Sequence, residues 1–230
     1  MGWEVDDTNI GQNYLAFCKA AVEDTTLFNG FKTHPHYTPI LSHVSKVQGQ
    51  KYLEEIDSDL LQYKHINDVY GRPTLHTYNS YEIDPTSLRY IKIVSDIRKF
   101  LGTDLGSVLE IGGGYGGLCL FIRSILEVTS YSIKDNKSVI PLVEKYLKLH
   151  KLELNTEQSK NYDTVVSTFA WDELEFDERE YYLHIMKESK RGYLVAKNQK
   201  IEQHEWPEDF IRIPDTIIGD YSIIHWNRIK

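Results

Sequence analysis

The chain has 230 residues, 41% of them hydrophobic and 26% charged, with a formal net charge of −8; this suits one compact domain with an elaboration, or two very unequal pieces, and excludes wholesale disorder. Its longest apolar run, Leu118 to Ile122, is far short of the roughly 18 residues that span a bilayer, and Met1 to Asp7 has neither the basic nor the apolar region of an export signal, so a cytoplasmic protein with no membrane span is expected. Cys18 and Cys119, the only cysteines, build neither a disulfide framework nor a zinc site, and the acidic balance disfavours nucleic acid, which leaves a small-molecule or glycan acceptor as the expected partner and the oligomeric state open.

In chain order, the first hundred residues read as a helical leader. Tyr37, Ile40, Leu41, Val44 and Val47 recur at helical spacing, as do Leu88, Ile91, Val94, Ile97 and Leu101. The second of these helices starts after Pro85, with Thr86 or Ser87 available as its N-cap. Between them, Gly71 to Ser80 has no period and carries turn residues and aromatics, as suits a loop forming one wall of a site. After Gly106 the pattern alternates. Strands are predicted at Ser107 to Ile111, Thr129 to Ile133, Leu152 to Leu154, Asp163 to Phe169 and Gly192 to Ala196. Helices are predicted at Leu118 to Leu126, Val139 to Leu147 and Glu178 to Ser189, and Tyr221 to Ile229 is expected to close the sheet antiparallel at its edge. Such alternation implies an α/β, Rossmann-like, mainly parallel sheet over residues 101–230, behind a leader of residues 1–100.

Glu110-Ile111-Gly112-Gly113-Gly114-Tyr115-Gly116-Gly117 stands where a strand turns into a helix. Glycines there permit positive φ and let a ligand approach the backbone, although a plain tight turn uses the same residues. A carboxylate two positions before the first glycine suits a ligand bearing a cationic amine better than one bearing a pyrophosphate, and about a hundred helical residues precede the strand, where a dinucleotide domain often begins at once. S-adenosylmethionine, with an ammonium, a sulfonium and no phosphate, fits. Cofactor contacts are then expected from Glu110, Gly112, Gly113, Gly114, Tyr115 and Gly116. Asp135, at the end of the second strand, is placed to take the ribose hydroxyls or to cap the following helix.

The run Val108 to Gly117, with Tyr131 to Asp135 and Lys145-Tyr146-Leu147, resembles the sugar O-methyltransferases, a branch of the class I S-adenosylmethionine-dependent methyltransferases. Phe31 to Tyr37, Ser42 to Ser45 and Ser87 to Ile91 resemble that family's helical leader, and Tyr162 to Ser167 with Trp171 to Leu174 its fourth strand and following loop. The resemblance covers most of the chain from Phe31 to Lys197 and implies methylation of a sugar hydroxyl from S-adenosylmethionine.

Ligands of open α/β sheets lie beyond the carboxyl ends of the strands, which sets Phe169 against the cofactor and Trp171, Asp172 and Glu173 beside the methyl group. Asp172 and Glu173 are candidates for the base that takes the acceptor proton, for hydrogen bonding to the acceptor or, with Asp135, for holding Mg²⁺; an exposed acidic loop would read the same. His76 is the alternative base, with Tyr78 beside it for acceptor contact. Trp171 is open to stacking on a sugar ring or on adenine or to burial, and Arg89 to pairing with the cofactor carboxylate or to a surface salt bridge. A binding scaffold without catalysis and an NAD-dependent oxidoreductase are the competing functions.

Overall fold

The structure is a computed structural model that describes residues 10–41, 43–155 and 161–229. The run Met1 to Asp7 and Ser42 of the leader motif lie outside the described residues. In chain order the helices and strands are α1 (Ile10–Glu23), α2 (Thr25–Asn29), α3 (Thr38–Leu41), α4 (Lys46–Glu55), β1 (His76–Tyr78), β2 (Tyr81–Ile83), α5 (Pro85–Leu101), β3 (Asp104–Ile111), α6 (Gly117–Ile125) and β4 (Glu127–Lys134). They continue with α7 (Ile140–Leu149), β5 (Thr164–Thr168), α8 (Phe176–Glu188), β6 (Arg191–Lys197), α9 (Asn198–Ile201), β7 (Ile211–Pro214) and β8 (Tyr221–Asn227). The chain divides into two compact units, one of residues 1–95, 114–121 and 136–153, the other of residues 96–113, 122–135 and 154–230.

The first unit is held by an aromatic cluster in which Phe31 meets Tyr37 and Tyr115 meets Tyr146 edge to face, both at 5.0 Å between ring centres. The helix expected through Tyr37 and Val47 is two helices. Ser45 accepts from the Gln48 amide (3.2 Å) while the Gln48 side chain accepts from the Ser45 amide (3.0 Å), so a capping box starts α4 inside the apolar repeat and leaves Val47 exposed. In α5 the cap is Asp84, whose carboxylate accepts from the Thr86 amide at 2.9 Å, with Pro85 in the first turn; neither Thr86 nor Ser87 is the cap. The expected loop over Gly71 to Ser80 ends in a hairpin, β1 pairing with β2 around Asn79, which accepts φ +53° at the corner.

The second unit carries a six-stranded sheet in the order β4-β3-β5-β6-β8-β7, in which β8 is antiparallel to both its neighbours and the other pairs are parallel. It is the expected α/β, Rossmann-like architecture, with two corrections. β8 does not lie at the edge: it runs between β6 and β7, and the short β7 takes the edge. Leu152 to Leu154 is not a strand; just beyond it the Asn155 amide donates to the Tyr131 carbonyl (2.8 Å) and the Asn155 carbonyl accepts from the Ser132 hydroxyl (3.2 Å), both on β4. The core includes Trp171, Leu183, Met186 and Trp226, the last stacked on Phe210 at 4.1 Å.

At the amino ends of β3, β5 and β6, Asp163 accepts from the Ser107 amide (2.9 Å), the Ser107 hydroxyl (2.8 Å) and the Lys190 ammonium (2.6 Å). These bonds hold its carboxyl at about 2, below the usual carboxylate range. Asp163→Ala is expected to cost about 1–3 kcal/mol in urea unfolding, because the half-buried Ser107 donors lose their charged acceptor. The unfolded carboxyl ionises at its ordinary value of 3.8 and the folded one at about 2, so the contribution stands above about pH 4 and fades as the pH falls towards 2. A variant with wild-type stability at pH 6 would show that the knot is idle.

Candidate functional site

β3 ends at Ile111, and Gly112 turns the chain with φ +77° while its amide still donates to the Lys134 carbonyl (2.8 Å). A Cβ on Gly112 would lie 1.9 Å from the Ala170 Cβ, and one on Gly113 2.4 Å from Ile133 Cγ2. Contact with neighbouring segments therefore demands glycine at both. Gly114 and Gly116 follow with φ +55° and +90°, so positive φ recurs at every second residue until α6 begins at Gly117.

Glu110, one residue before the end of β3, is 1% exposed and accepts from the Tyr131 hydroxyl at 2.9 Å. Burial pushes its carboxyl up to about 8; the Tyr131 hydrogen bond opposes this and the nearby Asp135 charge adds to it. Asp135 follows β4 directly. The side-chain bond that shapes the turn before α7 comes from Asn136, which accepts from the Ser138 amide at 2.9 Å, and Val139 in the cap position adds none, so Asp135 is not the helix cap.

Phe169, just past β5, holds φ +68°, a costly conformation for a residue with a Cβ, and its amide donates to the Val195 carbonyl (2.9 Å). That turn throws the chain into a 3-10 helix, Ala170–Glu173. Asp172 accepts from the Lys197 amide at 2.9 Å and faces the Tyr221 hydroxyl, while the Tyr221 ring meets Phe169 edge-on at 5.4 Å. Burial raises the carboxyl of Asp172; burial and then the charges of Asp135 and Asp172 raise that of Glu173. Glu110, Asp135, Asp172 and Glu173 thus form one electrostatically coupled set at the carboxyl ends of β3, β4 and β5.

Other expected site residues lie elsewhere. Trp171 is wholly buried, with the rings of His204 and Trp206 at 5.6 Å, so it is a core residue and offers no face for stacking on an acceptor. Tyr115 lies in the aromatic cluster of the first unit. Also in the first unit, His76 sits half-buried on β1, and Tyr78 is a core side chain, 1% exposed, whose hydroxyl is pushed up to about 12 by burial and by Asp84. The Arg89 guanidinium is buried 5.6 Å from the Tyr90 ring centre, beside His43, and is therefore not a surface group. Among the described residues no three His, Cys, Asp or Glu side chains converge as a metal site, so Asp135, Asp172 and Glu173 do not make the Mg²⁺ cage that the sequence left open. Tyr131 and Tyr221, which the sequence places in strands without a site role, come from strands whose order no local pattern reveals.

No protein family and no curated protein sequence matches this chain. Solved structures are similar to parts of this chain at low identity. A candidate RNA methyltransferase from Pyrococcus horikoshii is 12% identical, with 76% of this chain and 100% of that one covered and a TM-score of 0.48. A candidate S-adenosyl-L-methionine-dependent methyltransferase from Methanococcus maripaludis is 12% identical over 60% and 84%, TM-score 0.46. An rRNA methylase from Streptococcus thermophilus is 11% identical over 62% and 98%, TM-score 0.44.

Proposed function

We propose that this chain is an S-adenosylmethionine-dependent methyltransferase whose acceptor is a sugar hydroxyl. The observation that carries the reading is the coupled carboxyl set of Glu110, Asp135, Asp172 and Glu173 around a glycine turn. Carboxylate acceptors beside close-approach backbone fit a cationic amino acid and a ribose, and they would repel the pyrophosphate of NAD. The same acidity, with the net charge of −8, favours an uncharged hydroxyl acceptor over a phosphate-bearing polymer. The sugar rests on the resemblance of the leader and strand motifs.

When bound, the cofactor supplies a methyl group on a sulfonium, already activated for displacement. The chain's task is to hold the groups in line and to take the acceptor proton. Gly112 and Gly113 bring backbone to the ligand, Glu110 receives the ammonium and Asp135 the ribose hydroxyls. Glu173, its carboxyl raised by burial and by two neighbouring charges, is the base. Asp172, held by the Lys197 amide and facing Tyr221, fixes the loop on which Glu173 stands.

Calorimetry with S-adenosylhomocysteine, then methyl transfer to a panel of sugars and nucleotide sugars read by mass spectrometry, tests the reading. With an accepted sugar, Glu173→Gln should lower turnover by about 10² or more, the scale of a lost general base, and leave S-adenosylhomocysteine affinity within about twofold. No binding heat from folded protein would overturn the cofactor assignment; full turnover by Glu173→Gln would overturn the base, with His76→Ala then the decisive variant.

A further inference from the structure

Gly112 to Gly117 is a six-residue run in which Tyr115 has the only side chain. The Tyr115 ring folds back over the start of α6, where a Cβ on Gly117 would lie 2.6 Å from it, and its hydroxyl donates to Asn67 Oδ1 at 3.0 Å. Asn67 is wholly buried and works as a hub. Its Oδ1 also accepts from the Tyr146 hydroxyl (2.8 Å) and the Lys32 ammonium (3.0 Å), and its Nδ2 donates to Ser87 Oγ (3.0 Å) and Asp84 Oδ2 (3.4 Å). Lys32 donates to the Asn67 carbonyl as well and stands 4.9 Å from the ring centres of both Tyr115 and Tyr146. It is 2% exposed. An ammonium at this depth is costly, and helix packing alone calls for none.

We infer that Tyr115, anchored through Asn67 and Lys32, is the positioning residue that fixes the Gly114 to Gly116 backbone for the cofactor. The inference rests on the cofactor reading above and adds the means by which the leader sets the turn. Glycines at φ +55° and +90° have no rotamer or Cβ to choose one path, and conformational freedom left in the turn would be lost on binding. The Asn67 hub removes that freedom beforehand.

Two variants separate positioning from stability, because each deletes one hydroxyl bond to the same Asn67 oxygen: Tyr115→Phe within the turn, and Tyr146→Phe on α7 outside it. Both should lower the melting temperature by roughly 2–4 °C. Tyr115→Phe alone should weaken S-adenosylhomocysteine binding, by roughly three- to tenfold, whereas Tyr146→Phe stays within twofold of wild type. Equal changes in affinity for the two variants, or none for either, would overturn the inference while wild-type binding keeps the cofactor reading intact. Absence of binding by the wild type overturns both.

Discussion

Gly112→Ala is expected to abolish S-adenosylhomocysteine binding in calorimetry and to lower stability by about 2–5 kcal/mol. Two costs combine. A side chain at φ +77° costs roughly 1–2 kcal/mol, and forcing a methyl group into filled space costs roughly 1–3 kcal/mol more. The second cost is large here because the new Cβ falls 1.9 Å from the Ala170 Cβ, and Ala170 is fixed on both sides, by the Phe169 amide on Val195 and by Asp172 on the Lys197 amide. Gly102 supplies the control: at φ +90° with nothing within 4 Å of a built Cβ, Gly102→Ala carries the conformational cost alone. Ala170→Gly in the Gly112→Ala background vacates the clashing atom and leaves the Ala170 Cα at 3.4 Å, an ordinary contact, so it should restore the packing part. Equal losses for Gly112→Ala and Gly102→Ala in urea unfolding would mean that the clash is absorbed.

Glu110→Gln should remove a proton release that accompanies cofactor binding. With its carboxyl near 8, Glu110 is mostly protonated at pH 7, and an ammonium docking beside it favours the ionised form. Wild-type binding of S-adenosylmethionine should therefore release close to one proton at pH 7, read by calorimetry in two buffers of different ionisation enthalpy; the Gln variant should release much less. Stability carries a matching signature. The unfolded carboxyl ionises near 4.5, so between pH 4.5 and 8 the native state holds a proton that the unfolded state has lost, and this group's contribution falls as the pH rises, by about 3–5 kcal/mol in all. Lys32 has the opposite slope: burial lowers its ammonium from 10.5 to about 7, so its penalty is relieved as the pH rises above 7. The Glu110→Gln comparison is therefore read below pH 7. Parallel stability profiles there for wild type and variant would refute the shift.

The parts of this fold legible in the sequence are those whose burial is written into a local pattern. β3, β5 and β6 are short apolar runs buried in a parallel sheet, and α6 is apolar nearly all round, so each stands out between glycines or charges. β7 does not, since Ile211 to Pro214 is an exposed edge strand with an arginine and a proline in four residues. The β1/β2 hairpin lacks the usual Asn-Gly corner, and Asn79 alone takes the positive φ. The placement of Glu110, Gly112, Gly113 and Asp135 at the ends of β3 and β4 is readable because strand-turn-helix geometry is local. Trp171 reads the same on a ligand as in a core, and only the packing of His204 and Trp206 decides. Lys32 is invisible because Phe31-Lys32-Thr33 gives no sign that the ammonium turns inward to Asn67, which lies 35 residues away.

The place of β8 in the sheet dictates an order of assembly. β7 comes earlier in the chain, yet among the described residues its only strand partner is β8, which also borders β6. β7 thus has no ladder to join until β8 is formed. The two are linked by a short turn in which the Asp215 side chain accepts from the Ile217 and Ile218 amides, so their pairing is local in the chain and costs little loop closure. Tyr221 opens β8 opposite Lys197 and faces Asp172, so the Asp172 end of the site depends on β8 being in place, and any opening of this edge dismantles it.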